Sequence, residues 1–324
     1  MIKIAERLFD IGKTLLQIQQ SITVPVNHEL DRFRGCLLGL ACGDAVGTTV
    51  EFKKRGTFKP VTDMTGGGPF DLKAGEWTDD TSMALCLASS LIELGRFDAE
   101  DQMQKYCQWM NEGYMSSNGR FFDIGGATLG ALRRFQETGE PFSGSTLAKF
   151  SGNGCLMRLA PIPMFYYANR DEVIAMSGNS SRTTHAAPEC IEASQLFGAM
   201  LFMALSGANK DDILFSHGVT DFESSSIAAV ATGTYRSKKI DDIKGSGYVV
   251  ESLEAALWCF FHTDSFKAAI LQAANLGDDA DTTAAICGQI AGAYYGESTI
   301  PKQWKKRLVM KNEISRMADQ LYQY

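Results

Sequence analysis

Apolar residues recur at three- and four-residue steps along most of this chain, and strict apolar–polar alternation is scarce, so the pattern predicts an all-α protein. The first such stripe runs over residues 1–24, where Ile4, Leu8, Ile11, Leu15 and Ile18 share one face. Pro25 and the polar Asn27-His28-Glu29 break it. Residues 1–30 therefore read as a helical extension, either packed on the main body or docked as an arm on a partner protein. Further stripes predict helices over 83–94, 98–112, 124–138, 186–206, 211–216, 222–232, 249–261, 264–275, 284–296 and 301–322, with 156–168 a helix or an apolar segment. Ser180 to His185 reads as the opening of the 186–206 helix, and 233–248 as a polar surface loop. No repeat and no internal boundary interrupts 31–324, which reads as one domain.

Glycines qualify this pattern at two places. Gly35, Gly39, Gly43 and Gly47 recur every fourth residue, and Gly288, Gly292 and Gly296 do the same. Each helical glycine costs about 1 kcal/mol against alanine. A row of them on one face makes sense where a second backbone must approach closely. The two stretches are therefore expected to cross at the centre of the fold, with Asp44 and Glu51 near the crossing.

Chemistry concentrates at two helix starts. Residues 277–288 place Asp278, Asp279 and Asp281 within four positions, followed by Thr282 and Thr283. Trp77-Thr78-Asp79-Asp80-Thr81-Ser82 repeats the grammar far upstream. One acidic cap is ordinary, because helix N-termini favour Asp and Thr. Several carboxylates on one turn repel unless a cation sits between them, and an all-oxygen set without Cys or His suits a hard ion such as Mg²⁺ or Mn²⁺. An over-capped helix in a surface loop explains either cluster alone; two of them converging would make a dinuclear centre. Neither is an EF-hand, since the twelfth place from Asp279 is Ile290.

The remaining signals are weaker. Ser151-Gly152-Asn153-Gly154 bares backbone N–H groups that can cradle phosphate oxygens, or is a plain turn. It lacks the lysine of a Walker loop. Phe121 to Gly126 reads as a turn and helix start, and His185 as a helix-cap histidine or a site residue. The net charge of −7 argues against a general nucleic-acid binder. No apolar run reaches the roughly 18 residues of a membrane span. Eight scattered cysteines without a CxxC pair, and an N-terminus unlike a signal peptide, suit a reducing, cytoplasmic setting. No GxSxG elbow is present.

Five blocks then resemble, in order, the ADP-ribosylglycohydrolase family: Gly35 to Gly47 with Glu51; Gly75 to Thr81; Gly152-Asn153-Gly154 with Met157-Arg158 and Ala160-Pro161; Thr184 to Pro188; and Gly277 to Thr283. The resemblance implies a single compact domain of mostly orthogonal helices with two Mg²⁺ or Mn²⁺ ions in a central cleft. It implies metal ligation by Thr78, Asp79 and Asp80 from one side and by Asp279, Asp281 and Thr282 from the other. Asp80, Glu51 and Asp279 become candidates for the catalytic work, and Asn153, Gly154, His185, Gly125 and Gly126 for the ADP-ribose side. Asp278 stands where the family usually has a second glycine, which makes it a candidate surplus carboxylate outside the ligand set. The implied activity is hydrolysis of ADP-ribose from a modified side chain, arginine first, on a protein substrate. Some bacterial members confer immunity to ADP-ribosyltransferase toxins, a role the arm 1–30 would suit without catalysis. A dinuclear-metal nucleotide phosphohydrolase is the enzyme alternative.

Overall fold

The computed structural model describes residues 27–324, and the expected helix over 1–24 lies outside them. Within the described residues the regular structure is helical, with only isolated bridges and no strand. Fourteen α-helices follow in order: α1 His28–Gly47, α2 Asp79–Leu94, α3 Ala99–Glu112, α4 Gly126–Thr138, α5 Pro161–Phe165, α6 Arg170–Arg182, α7 Pro188–Leu205, α8 Lys210–Phe215, α9 Ser225–Ala231, α10 Val249–Phe261, α11 Phe266–Ala274, α12 Ala280–Tyr295, α13 Lys302–Arg307 and α14 Lys311–Leu321. None is long and apolar enough to cross a membrane.

The centre is the pairing of α1 with α12. A Cβ on Gly35, Gly39, Gly43 or Gly47 would collide with the carbonyl oxygens of Gly292, Gly288, Ala284 and Ala280 respectively. The two rows run in opposite order, so the helices are antiparallel. Gly288 and Gly292 meet the Gly39 and Gly35 carbonyls in return. The expected crossing is therefore present, and its cause is steric, because neither backbone leaves room for a methyl group.

Around that pair the helices form one large core, and a smaller satellite core flanks it. Helix α2 serves both. Leu85, Ala88 and Leu91 face the main core, while Met83 and Cys86 pack with Tyr106, Trp109 and Leu132 of α3 and α4. This helix is buried all round, as a central helix must be.

Several expectations are corrected. Residues 180–182 close α6 instead of opening the next helix, and α7 starts at Pro188 after a turn through His185. The weakly patterned α6 is announced by Asn169, whose side chain accepts from the N–H groups of Asp171 and Glu172. Within 156–168 only Pro161–Phe165 is helical. The expected 301–322 helix is two, because Val309 N donates to Gly75 O at 3.0 Å and Met310 turns left-handed at φ 52°. The 233–248 stretch is more than a surface loop, since its Gly245–Gly247 end reaches the central cavity.

Candidate functional site

Both acidic clusters sit at helix N-termini beside the α1–α12 pair. Thr78 is the N-cap of α2 and Asp279 the N-cap of α12, yet neither side chain caps its own helix. Other Asn and Asp N-caps behave conventionally, as where Asn27 and Asp98 each accept two N–H groups of the helix they begin. The two clusters spend their side chains on each other instead. Thr282 Oγ1 donates to Asp80 Oδ1, and Thr78 Oγ1 stands within hydrogen-bond distance of Asp281 Oδ2, both at 3.2 Å. The reading of an over-capped surface helix fails on this geometry.

Asp44, on α1, fixes the first cluster. Its Oδ1 accepts from Thr78 N and Thr78 Oγ1, both at 2.9 Å. Its Oδ2 accepts from Thr81 N at 3.0 Å and Thr81 Oγ1 at 2.6 Å. A carboxylate from the glycine helix thus caps α2. The second cluster is held by loop contacts. Asp278 adopts φ 55°, with its N–H on Lys53 O and its carbonyl accepting from Phe52 N. Asp279 N donates to Gly245 O, and Asp279 Oδ2 accepts from Asn153 Nδ2 at 2.7 Å. Arg55 fastens this region by donating to the carbonyls of Leu276, Ile240 and Ile243.

The clusters open onto a cavity of about 700 Å³. Glu51, Asp79, Asp279, Asp281 and Thr282 line one part of it. Gly125, Gly126, Asn153, Gly154 and His185 line the rest, so ten of the expected site residues share one cavity. Thr78 and Asp80 do not reach its surface; both are fully buried behind it.

Asp123 was not singled out from the sequence as a site residue. It lies at φ 57° just before α4, and it brings a carboxylate oxygen within 4.8 Å of oxygens of Glu51 and Asp281. Phe52, Thr128, Met157, Ser246 and Gly247 also line the cavity. A lone Asp in a turn carries no periodic or clustered signal. Only its place in the Phe121–Gly126 turn, where Asp is a common residue, was available as a hint.

No lysine or arginine among the described residues lines this cavity. Its carboxyls are accordingly driven toward their neutral forms. Burial first, then the charges of Asp123, Asp279 and Asp44, push Glu51 up to about 9. Burial, Asp44 and Asp279 push Asp123 up to about 7. Burial and the neighbouring acids also raise Asp79, Asp80 and Asp281 well above the usual range. Asp80 Oδ2 and Asp281 Oδ1 are buried with no hydrogen-bond partner among the described residues. Unpaired carboxylate oxygens converging without a protein cation fit a bound divalent ion, by the hard-oxygen preference of such ions. His185 behaves oppositely, since burial and the Arg158 charge lower it to about 3 and it stays neutral at physiological pH.

An all-helical scaffold with a carboxylate-ringed, cation-ready cavity defines a hydrolase-type centre. The ADP-ribosylglycohydrolase family model matches residues 25–324, and the chain belongs to that family, whose activity is hydrolysis of a glycosidic bond to ADP-ribose. The ADP-ribosylarginine hydrolase Tri1 of Serratia proteamaculans is 45% identical, over 92% of this chain and 81% of its own length. The ADP-ribosyl-[dinitrogen reductase] glycohydrolase of Rhodospirillum rubrum is 33% identical, over 93% of this chain and 98% of its own. A solved structure described as an ADP-ribosylglycohydrolase-related protein complex superposes with a TM-score of 0.83 at 40% identity, over 92% of this chain and 99% of that one.

Proposed function

We propose that the protein removes ADP-ribose from arginine side chains of modified proteins, with two Mg²⁺ or Mn²⁺ ions held between the α2 and α12 N-termini. The observation that carries the proposal is the pair of unpartnered buried oxygens, Asp80 Oδ2 and Asp281 Oδ1, on clusters cross-linked by Thr78 and Thr282. Thr78, Asp79 and Asp80 would hold the ions from one side, and Asp279, Asp281 and Thr282 from the other. Bound, such ions supply Lewis-acid stabilisation and orient ribose hydroxyls. Arginine is the acceptor because two relatives, 45% and 43% identical, carry the name ADP-ribosylarginine hydrolase, and because a carboxylate-lined cavity suits a guanidinium.

The protein's own groups divide the remaining work. As the bond to arginine breaks, the ribose develops oxocarbenium character, and the surrounding carboxylates stabilise that charge. Glu51 lines the cavity and handles the proton, with Asp279 held by Asn153 as the adjacent carboxylate. Asp80, behind the surface, serves as ligand more than as acid or base. Asn153, Gly154, His185, Gly125 and Gly126 receive the ADP-ribose.

The test is incubation with arginine- and serine-ADP-ribosylated proteins, with and without EDTA. Release of intact ADP-ribose from arginine, abolished by EDTA, is the expected result. AMP or free phosphate would identify a phosphohydrolase instead, and no release in Mg²⁺ or Mn²⁺ would leave only a binding role.

A second role rests on the extent of the family match, which begins at residue 25 and leaves residues 1–24 outside it. In that reading the arm within 1–30 blocks an ADP-ribosyltransferase toxin directly. Deleting residues 1–24 would then abolish toxin binding and leave hydrolysis intact; unchanged toxin affinity refutes the arm. A cytoplasmic setting suits both roles and the eight free, buried cysteines.

A further inference from the structure

Behind the part of the cavity wall formed by Gly154 and His185 lies a buried arginine without an acid. Arg158 is fully buried, and no carboxylate among the described residues forms an ion pair with it. Its Nη1 donates to Gly154 O at 2.9 Å and its Nη2 to Thr184 Oγ1 at 2.6 Å, with longer contacts to Ser180 O and Thr183 Oγ1. The Tyr106 ring sits 4.9 Å from the guanidinium carbon. A buried cation kept without a counter-charge is costly, so something must offset it.

The hydrogen-bond directions on Thr184 define what it does. A guanidinium only donates, so Thr184 Oγ1 must accept from Arg158. Thr184 Oγ1 also lies 2.8 Å from His185 Nδ1. The hydroxyl proton has no other acceptor among the described residues, so it points to Nδ1. The neutral imidazole then carries its proton on Nε2. That nitrogen pairs with no described residue and lies at the glycine-lined wall, 3.3 Å from where a Cβ on Gly152 or Gly154 would stand.

We propose that Arg158 and Thr184 are positioning residues that lock His185 as its Nε2–H tautomer, aiming one fixed donor and a buried positive field at an anionic oxygen of the ligand. With the ADP-ribose reading above, on which the ligand's identity rests, that oxygen belongs to the pyrophosphate. The cavity is thus polarised, with carboxylates for the ribose end and a proton donor backed by Arg158 for the phosphates. A Cβ at Gly154 would stand 2.8 Å from His185 Cε1, so a side chain there would displace the imidazole, while one at Gly152 would crowd Nε2 at 3.3 Å.

The experiment is ¹⁵N NMR of the histidine side chains in the metal-free full chain, with ADP-ribose titrated into wild type, Thr184→Val and His185→Gln. The His185 resonances are assigned by their loss in His185→Gln. The expected spectrum has Nδ1 as acceptor and Nε2 protonated, with Nε2 moving on ADP-ribose addition. Thr184→Val is expected to mix the tautomers and weaken ADP-ribose about tenfold, the size of one misaligned hydrogen bond. His185→Gln, whose amide can donate from a similar place, is expected to weaken it less than His185→Ala. Arg158→Lys risks unfolding, so the conclusion stands on Thr184→Val. A protonated Nδ1 in wild type, or a Thr184→Val protein with unchanged tautomer and affinity, overturns the inference. If ADP-ribose fails to bind wild type, the substrate reading falls, while the tautomer measurement still decides the lock.

Discussion

The Thr282 hydroxyl donates to Asp80 at 3.2 Å, tying together the first turns of two helices whose bonded residues stand 202 positions apart. Its counterpart, Thr78 to Asp281, closes the same junction from the other side. The hydroxyls orient the carboxyls but bring no positive charge, so without a cation the junction must hold protons to stay buried. Function and stability should therefore trade off here. Asp281→Asn is expected to cut hydrolysis at least about 100-fold and to remove the rise in Tm on adding Mg²⁺. The same variant in EDTA at neutral pH should be more stable than wild type by about 1 kcal/mol, because an amide needs no proton to be buried there whereas the raised Asp281 must take one up on folding. Calorimetry with and without Mg²⁺ checks all of this, and a wild type that Mg²⁺ does not stabilise would refute the ion site.

Glycine substitutions should separate packing from ligand contact. At Gly39 or Gly288 a methyl group meets the opposing carbonyl of a helix that cannot retreat. Gly39→Ala is expected to cost roughly 3 kcal/mol or more, or to prevent folding. At Gly126 a Cβ meets nothing within 4 Å. Gly126→Ala should therefore fold at least as stably as wild type, and any change it makes will be in ADP-ribose affinity. Chemical denaturation beside a binding titration distinguishes the two.

The sequence announced the parts of this molecule whose signal is local. Asp/Thr runs at two helix starts, and glycines every fourth residue on two helices, sufficed for the central crossing and most of the acidic ring. What stayed hidden depends on distant packing. Asp123 joins Glu51 and Asp281 only because a left-handed turn before α4 swings it inward. Gly245 reaches Asp279 through a loop that is polar and unpatterned. The C-terminal helix breaks at Met310 because residue 309 is claimed by Gly75. Periodicity describes which face a helix buries, and is silent about which turn a remote loop will straighten or bend.

Asp44 has no role at the cavity surface, yet four donors of the Thr78–Thr81 turn converge on it. Its burial raises its proton affinity, while those bonds from Thr81 and Thr78 oppose the shift. Asp44→Asn keeps the shape but turns an NH₂ toward N–H groups, leaving at least one buried donor unpaired. A loss of about 2–4 kcal/mol is expected, with hydrolysis falling alongside because Asp79 and Asp80 are no longer fixed. Asp44→Asn that melts like wild type would show that the α2 terminus holds itself.

The raised acids also fix the sign of a pH effect in the ion-free protein. Glu51 goes from an ordinary 4.5 to about 9, and Asp123 from 3.8 to about 7. Well below pH 3.8 both groups are protonated folded or unfolded, and neither opposes folding. As pH rises the unfolded chain ionises first and binds fewer protons than the folded one, so stability falls. The Asp123 contribution is lost between about 3.8 and 7 and the Glu51 contribution between about 4.5 and 9. His185, lowered to about 3, acts in the opposite sense below its ordinary 6.5, so the acids are isolated only by comparison with a variant. In EDTA, wild type is expected to lose Tm steadily from pH 6.5 to 9, and Glu51→Gln to lose markedly less. Saturating Mg²⁺ should flatten the wild-type curve, since a bound cation takes the place of the protons. Parallel wild-type and Glu51→Gln curves in EDTA would mean that Glu51 is already ionised in the folded protein, and that the carboxylates of the cavity do not hold it neutral.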